Sequence, residues 1–480
     1  MNPLSEVWLR ERPEAPALVF GDRTWSWAEL DVSSRGVGAA LQARGLGSGD
    51  RVAVLASNTP GFAFLVHAAV RTGVELVLLN TRLTEADWRE QLSRTRCRAL
   101  ALGRGLSLES PGVPVLALDE LHADPSPCRD VDPDPARPLA LLFTSGTTGR
   151  PKAAVLSIGA LRAHARASGQ HLGQTLDDLH LCNLPLFHVG GLSMLFRAAA
   201  CGGAVLLHER FDAERVLADL ASRPVTHLSL VSTTLARLLD ALGDAPFPLQ
   251  TLRVALLGGG PLPAPLRARA REKRLPLRHT YGLTEACSQV TTESEIGDGE
   301  TAGVPLPGVE VRIVDGERRE LPVGQAGEIE VKGPGLMLGY DGDAEATGAA
   351  LDDGWLRTRD LGTLDAQGRL VVHARRTDLI LSGGENVYPA EIEAALLGVP
   401  GVRDAAVLGR ADQTWGQVPI AAVVLAGDAT VAAVAEALNA LLPRFKRPRE
   451  LLALPELPRN AAGKVERAKL RALLGLGNDS

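Results

Sequence analysis

The 480-residue chain has no run of about 18 uninterrupted apolar residues, which excludes a simple membrane-spanning helix. It also lacks a C-x-x-C pair. Its five cysteines, Cys97, Cys128, Cys182, Cys201 and Cys287, are scattered and odd in number, which argues against a disulfide framework and for a reducing compartment. Positive charge is not in excess: the formal net charge is -6 and no lysine-rich block occurs, so neither nucleic acid nor an anionic membrane surface is an expected partner. The opening stretch MNPLSEVWLRERPEAP mixes acids and bases before any long apolar segment, unlike a signal or transit peptide. Internal repeats and low-complexity tracts are missing too. Together these absences predict a cytoplasmic protein whose partners are small molecules; the oligomeric state is left open, a homo-oligomer included.

What is present is ordinary globular material. Apolar content of 45% and charged content of 22% do not indicate disorder, and the length calls for more than one core. Short Val- and Leu-rich runs alternate with segments of helical period: RVAVLAS then GFAFLVHAAVRTG, VELVLLN then LTEADWREQL. This alternation predicts an α/β fold with buried parallel strands. Thr84 and Asp87 have capping-box spacing and mark a helix start. The α/β pattern continues to about Glu295, after which short strands with turn punctuation predict a small β-rich subdomain. From Arg375 a further set of elements follows: a helix opening at Pro389, strands near Asp404 to Leu408 and Ile420 to Leu425, a helix after Thr430 and a last helix after Gly463. The expected division is a large multi-subdomain α/β domain over 1–374 and a small mobile α+β domain over 375–480.

The segment LLFTSGTTGRPKAA, Leu141 to Ala154, is the densest chemical signal. It fails the G-x-x-x-x-G-K-[ST] pattern of a helix-opening phosphate loop, and Lys152 leads into AAVL, which reads as a strand. The loop therefore joins two strands, and no helix dipole can be the main attraction for an anion. Thr144, Ser145, Thr147 and Thr148 offer hydroxyl donors, Gly146 and Gly149 allow close backbone approach, and Lys152 adds a cation. Such a loop suits a polyphosphate; a flexible surface turn is the plainer alternative.

FTSGTTGRPKA, YGLTEA at Tyr281, GWLRTRDLG at Gly354, RRTDLILSGGENVYPAEIE at Arg375 and PRNAAGKVER at Pro458 occur in the order and at about the intervals of the adenylate-forming superfamily, which includes acyl-CoA synthetases, luciferases and peptide-synthetase adenylation domains. The resemblance covers nearly the whole chain. Within that superfamily LPLFHVGGLSMLFRAAACGGAVLLHERFDAERV, THLSLVSTTLARLL, LLGGGPLP, TYGLTEACSQVTT and TWGQVPIAAVV are most similar to the ligases that join o-succinylbenzoate to coenzyme A in menaquinone biosynthesis. The implied substrates are ATP, a carboxylic acid and coenzyme A, with Mg2+ as the metal. A CoA ligase for another aryl or fatty acid, and an adenylation module loading a carrier protein, are the alternatives.

The implied reaction is attack of a carboxylate on the α-phosphorus of ATP, then displacement of AMP by a thiol. The carboxylate is already ionised at neutral pH, so the first half needs cations and aimed N–H groups more than a base. The resemblance assigns that role to Lys464, behind the flexible Gly463; on residues alone a solvated lysine at a helix start fits as well. By the same resemblance Glu285 helps hold Mg2+ and Thr284 donates to the α-phosphate, although Thr-Glu is also a helix-start signal. Tyr281 and Gly282 belong to the same nucleotide motif. Asp360 and Arg375 are implied to fix the ribose hydroxyls, with a surface ion pair as the alternative. Gly258, Gly259 and Gly260 are implied to let adenine stack against backbone, or else form a tight turn.

o-Succinylbenzoate carries a second carboxylate, which would be costly to bury unpaired. Arg197 interrupts an otherwise apolar or small-residue helical stretch and is the expected partner; an arginine snorkelling to the surface is the alternative. His188 resembles the family's acyl-pocket histidine, or is a core histidine, and Ser288 and Gln289 are further polar candidates. Gly383 and Gly384 are implied to line the coenzyme A tunnel, or to form a β-turn. Thr377 occupies the implied hinge position of a rotating C-terminal domain. The chain departs from the family's usual residues at Arg359 and Ala374, where glycine is common, and at Thr377, where Asp or Lys is frequent.

Overall fold

A computed structural model describes the chain apart from residues 1–3, 5, 110, 124–126, 133, 145–150, 249, 261, 263, 296–300, 375–379, 388, 459–464, 466 and 477–480. The Val- and Leu-rich runs become parallel strands. Arg51–Leu55 pairs with Glu75–Leu78, Val52 opposite Leu76, and the helix Pro60–Thr72 forms the crossover. Thr59 caps that helix by accepting from the Phe62 N–H, proline opens it, and Gly73 at φ 77° closes it. At the helix Glu85–Arg94 the predicted capping box is present: the Thr84 N–H donates to Asp87 Oδ2 at 2.9 Å and the Asp87 N–H to Thr84 Oγ1 at 3.2 Å.

Contacts divide the chain into two compact units. The first comprises Met1–Thr81, Arg89–Phe143 and Ala153–Ala374; the second comprises Arg82–Trp88, Thr144–Lys152 and Arg375–Ser480. A seven-stranded sheet has the order Gly339–Tyr340, Lys152–Ser157, Pro138–Thr144, Glu75–Leu78, Arg51–Leu55, Ala99–Leu102, Val115–Ala117. A nine-stranded sheet has a parallel centre formed by Leu277–Leu283, Val254–Leu257, His227–Leu230, Leu179–Cys182, Ala204–Leu207 and Pro16–Phe20. Ser288–Thr292 and Val304–Pro305 extend it antiparallel at one edge, and Arg23–Ser26 at the other. The penultimate strand Pro16–Phe20 forms a hairpin with Arg23–Ser26 and pairs in parallel with Ala204–Leu207, Leu18 opposite Val205.

The expected β-rich subdomain is an antiparallel sheet of Glu310–Val314, Gly327–Lys332, Trp355–Leu364, Leu351–Asp352 and Leu370–Ala374. In the second unit Val402–Asp412 and Gly416–Leu425 form a long hairpin, joined by Glu450–Ala453 and by the small hairpin Ile380–Ser382 with Glu385–Val387. Helices Pro389–Leu397 and Val431–Leu441, the latter capped by Thr430, cover a core that includes Ile392, Leu396, Val407, Val423 and Leu438. The last helix is Arg467–Leu473. Among the described residues no helix is long and apolar enough to cross a membrane.

Candidate active site

Ligands of parallel α/β sheets gather beyond the carboxyl ends of the strands. Three of the predicted segments lie there, on strands of one sheet. Gly258–Gly260 follow Val254–Leu257, the loop ending at His188 follows Leu179–Cys182, and Thr284–Glu285 follow Leu277–Leu283. Gly259 takes φ 77°, a conformation that favours glycine, and the Gly260 carbonyl lies 3.3 Å from His279 Nε2.

Thr284–Ala286 form a single 3-10 turn whose N-cap position is Leu283, so Thr284 lies inside the turn and is not its cap. Glu285 is buried. Its carboxylate accepts from the Tyr340 hydroxyl at 2.9 Å and its carbonyl from the Met337 N–H at 2.8 Å. The two residues after the turn, Cys287 and Ser288, take φ values of 56° and 111°, which cost energy in residues with side chains. Gly282 lies directly against this bend: a Cβ there would sit 1.8 Å from the Ser288 carbonyl oxygen.

Tyr281, one residue earlier, donates its hydroxyl to Asp360 Oδ2 at 2.7 Å. Asp360 is buried, its N–H donates to Thr358 Oγ1 at 3.1 Å, and the Thr358 hydroxyl donates to the Ile329 carbonyl at 2.7 Å. Two of the predicted nucleotide residues, Tyr281 and Asp360, are thus joined directly. Arg359 takes φ 62°, which accounts for glycine being common at this position in the resembling family, and its N–H donates to Glu328 Oε1 at 3.0 Å.

On the acyl side, the helix Val189–Cys201 starts at His188, whose half-buried ring packs on Phe187 with centroids 4.8 Å apart. His188 therefore ends the loop as the N-cap residue of this helix, with no side-chain capping bond. Arg197, two turns along, does not snorkel: it is 3% exposed. Its Nη1 donates to Gln289 Oε1 at 3.0 Å and its Nη2 to Ser229 Oγ at 3.3 Å, while Nε has no hydrogen-bond partner. Among the described residues every hydrogen-bond partner of this guanidinium is neutral. Burial pushes its pKa down to about 10, so it remains a cation at neutral pH.

Gln289 is held from several directions. Oε1 also accepts from Ser168 Oγ at 2.6 Å, Nε2 donates to Thr292 Oγ1 at 2.9 Å, and the backbone N–H donates to His164 Nε2 at 3.1 Å. The side chain predicted to face substrate is thus occupied with orienting Arg197. Ser288 is half-buried at the strained bend. Sequence reasoning missed Tyr340, Thr358, Ser168, Ser229 and His164. Tyr340 alone had a local signal, an aromatic closing the glycine-rich stretch GPGLMLGY.

Thr144 ends Pro138–Thr144 and Lys152 opens Lys152–Ser157, neighbours in one sheet, so the loop does join two strands. The Thr144 hydroxyl donates to the Lys152 carbonyl at 3.4 Å. Gly383 and Gly384, at φ 61° and 84°, form the two-residue turn of the hairpin in which Ser382 pairs with Glu385. A Cβ on Gly383 would lie 2.5 Å from the Trp415 ring. Ser145, Gly146, Thr147, Thr148, Gly149, Arg375, Thr377 and Lys464 lie outside the described residues.

Residues 5–341 match the AMP-binding enzyme model and residues 391–464 the AMP-binding enzyme C-terminal domain, so the chain belongs to the AMP-binding enzymes. The chain is 40% identical over 480 residues to the 2-succinylbenzoate–CoA ligase of Bacillus velezensis, covering 97% of each chain. Among solved structures it is similar to a double mutant of o-succinylbenzoate CoA synthetase from Bacillus subtilis bound with the product analogue OSB-NCoA, with a TM-score of 0.93, 36% identity and 98% of each chain covered. The Bacillus subtilis synthetase in complex with ATP and magnesium ion matches at a TM-score of 0.74 and 36% identity over 98% of this chain and 99% of that one.

Proposed function

We propose that the chain is an ATP-dependent acid–CoA ligase that converts o-succinylbenzoate, ATP and coenzyme A to o-succinylbenzoyl-CoA, AMP and pyrophosphate, the step that menaquinone biosynthesis requires. The observation that carries the choice of acid is Arg197, a buried cation whose described partners are all neutral. A monocarboxylate would leave it without a counter-charge. The aromatic carboxylate of o-succinylbenzoate supplies one through a bidentate contact.

With that carboxylate anchored, the succinyl carboxylate is the nucleophile. One of its oxygens bonds to the α-phosphorus of ATP as the bond to pyrophosphate breaks. Positioning two anions against each other is the main barrier, and oriented binding lowers it. Glu285 is a buried oxygen donor already oriented by Tyr340, which suits a hard cation, and Thr284 follows the strand end as a hydroxyl donor. Mg2+, when bound, neutralises charge on the phosphates. Tyr281 holds Asp360 through a hydrogen bond to Oδ2, which orients this acceptor-only carboxylate for the ribose diol. Thr144, Ser145, Gly146, Thr147, Thr148, Gly149 and Lys152 clasp the outgoing phosphates, Gly258–Gly260 meet the adenine, and Arg375 joins Asp360 at the ribose. Lys464 stabilises the adenylation transition state. In the second half the thiolate of coenzyme A, passing Gly383 and Gly384, attacks the acyl carbon and AMP leaves with the electron pair.

The deciding experiment is pyrophosphate release with ATP, Mg2+ and coenzyme A across o-succinylbenzoate, benzoate, medium-chain fatty acids and acetate. A strong preference for o-succinylbenzoate is expected. Turnover of monoacids alone would overturn the substrate while leaving the ligase chemistry in place.

A further inference from the structure

Asp178, His180 and His227 lie at the other ends of the central strands from the glycines and Glu285. Asp178 immediately precedes Leu179–Cys182, and His227 opens His227–Leu230. His180 and His227 are register partners on neighbouring parallel strands, so both side chains leave the same face of the sheet. Their rings stack with centroids 4.6 Å apart and planes at 23°. Asp178 Oδ2 approaches His227 Nδ1 at 3.6 Å, and Cys201, the last residue of Val189–Cys201, places its sulfur 3.9 Å from His180 Nε2. Asp178, His180 and His227 are buried, and one donor atom from each lies within 4.8 Å of the others. His227 Nε2 is buried with no hydrogen-bond partner among the described residues.

We propose that Asp178, His180, His227 and Cys201 form a binding site for a borderline divalent transition-metal ion, with Zn2+ the best match. Tetrahedral zinc with bonds of about 2.0–2.3 Å sets its ligand atoms roughly 3.3–3.7 Å apart. The carboxylate–imidazole separation lies within that span and the thiol–imidazole separation, 3.9 Å, just beyond it; ligation through His227 Nδ1 replaces its 3.0 Å contact with Thr226 Oγ1. In the stacked arrangement the imidazole lone pairs lie in nearly parallel planes, and the soft χ2 torsions let the rings rotate to bring them toward a shared centre. The carboxylate is oriented from behind: the Thr175 N–H donates to Oδ2 at 2.8 Å, and Oδ1 is paired with Arg253. Outer hydrogen bonds of this kind are what hold a metal-binding carboxylate in one direction.

Two imidazoles, a thiolate and one carboxylate balance a divalent charge and disfavour Mg2+, which demands oxygen ligands and retains water. Binding breaks the Cys201 S–H bond, the sulfur keeps the electron pair to bond the metal, and the proton goes to solvent. The site is distinct from the one at Glu285 and takes a different class of ion.

The test titrates the full-length protein with Co2+ as the spectroscopic probe, in saturating Mg2+ so that the nucleotide site is filled by the hard cation. The expected result is one tightly bound Co2+ per chain, with the intense visible bands of tetrahedral coordination and a thiolate-to-cobalt charge-transfer band, all displaced by one equivalent of Zn2+. Cys201→Ser should abolish the charge-transfer band, and His227→Gln should weaken binding at least about 10-fold, both with adenylate formation retained as proof of folding. A wild-type protein that gives no tetrahedral cobalt spectrum overturns the proposal whatever the variants do. So does a spectrum that persists unchanged in both variants, which would place the ion elsewhere.

Discussion

Arg197 concentrates the specificity argument in one side chain. Truncating one member of a buried charge pair typically costs several kcal/mol, so Arg197→Ala should raise KM for o-succinylbenzoate roughly 100-fold or more, with a much smaller change for benzoate analogues lacking the second acid. Steady-state kinetics on both acids checks this, and an unchanged ratio would remove Arg197 from the acyl pocket. Gln289→Glu probes the same point from the other side. It places a carboxylate where the amide oxygen now accepts from Nη1. The enzyme then carries its own counter-ion, and selectivity between dicarboxylate and monocarboxylate should shrink. Arg359 offers a stability test. A left-handed conformation costs a residue with a Cβ about 1 kcal/mol, so Arg359→Gly should raise Tm by about 1–3 °C, readable in a thermal scan.

At the scale of elements, the tightest joint is the one between Leu277–Leu283 and Ser288–Thr292. The Gly282 backbone and the Ser288 carbonyl leave no room for a methyl group. Gly282→Ala should therefore displace the Cys287–Ser288 bend, destabilise the protein on the order of 3 kcal/mol, and slow pyrophosphate release about 100-fold through misplacement of Glu285. Retained activity with an unchanged Tm would show that the bend can move freely.

The strands and helices were largely legible because local chemistry dictates them. Thr84 with Asp87, and Thr430, cap the helices that their types and spacing announce. The bend was not legible, since Cys287 and Ser288 carry no signal for positive φ and only the packing against Gly282 imposes it. Nor were Arg197's partners: Ser229 and Gln289 are distant in sequence and reach it only through sheet order. The same holds for His180 and His227, which meet across a strand pair that no spacing rule reveals.

For the whole molecule, buried histidines set the acid limit. Burial, reinforced by Arg71, pushes His67 down to about 4, and burial, reinforced by Arg197, pushes His164 down to about 3. Above pH 6.5 both are neutral whether the chain is folded or unfolded, and the full stability is present. As pH falls below 6.5 the unfolded chain takes up protons that the folded chain refuses until about 4 and about 3. Stability is therefore lost across that window, on the order of 3 kcal/mol for each group. Denaturant midpoints from pH 7 to 4 should show the fall, and His164→Gln should make it shallower while His67 still contributes; a wild-type curve level to pH 4 would contradict the burial argument.

The two half-reactions give another whole-molecule test. Lys464→Ala should slow adenylate formation about 100- to 1000-fold while thioester formation from supplied acyl-adenylate survives. Equal loss of both halves would sink the division of labour.

The parallel pairing of Pro16–Phe20 with Ala204–Leu207 also governs how the protein is made. Leu18 waits for Val205, which leaves the ribosome 187 residues later (205 minus 18). At ordinary synthesis speeds that delay is about 10 to 40 s. Throughout it, Arg23–Ser26 can satisfy one side of the strand, while the other stays an open apolar edge able to pair with a neighbouring nascent chain. The oldest strand of the sheet thus waits longest for its neighbour, and shortage of ribosome-associated chaperones should show first as aggregation of chains that end before residue 204.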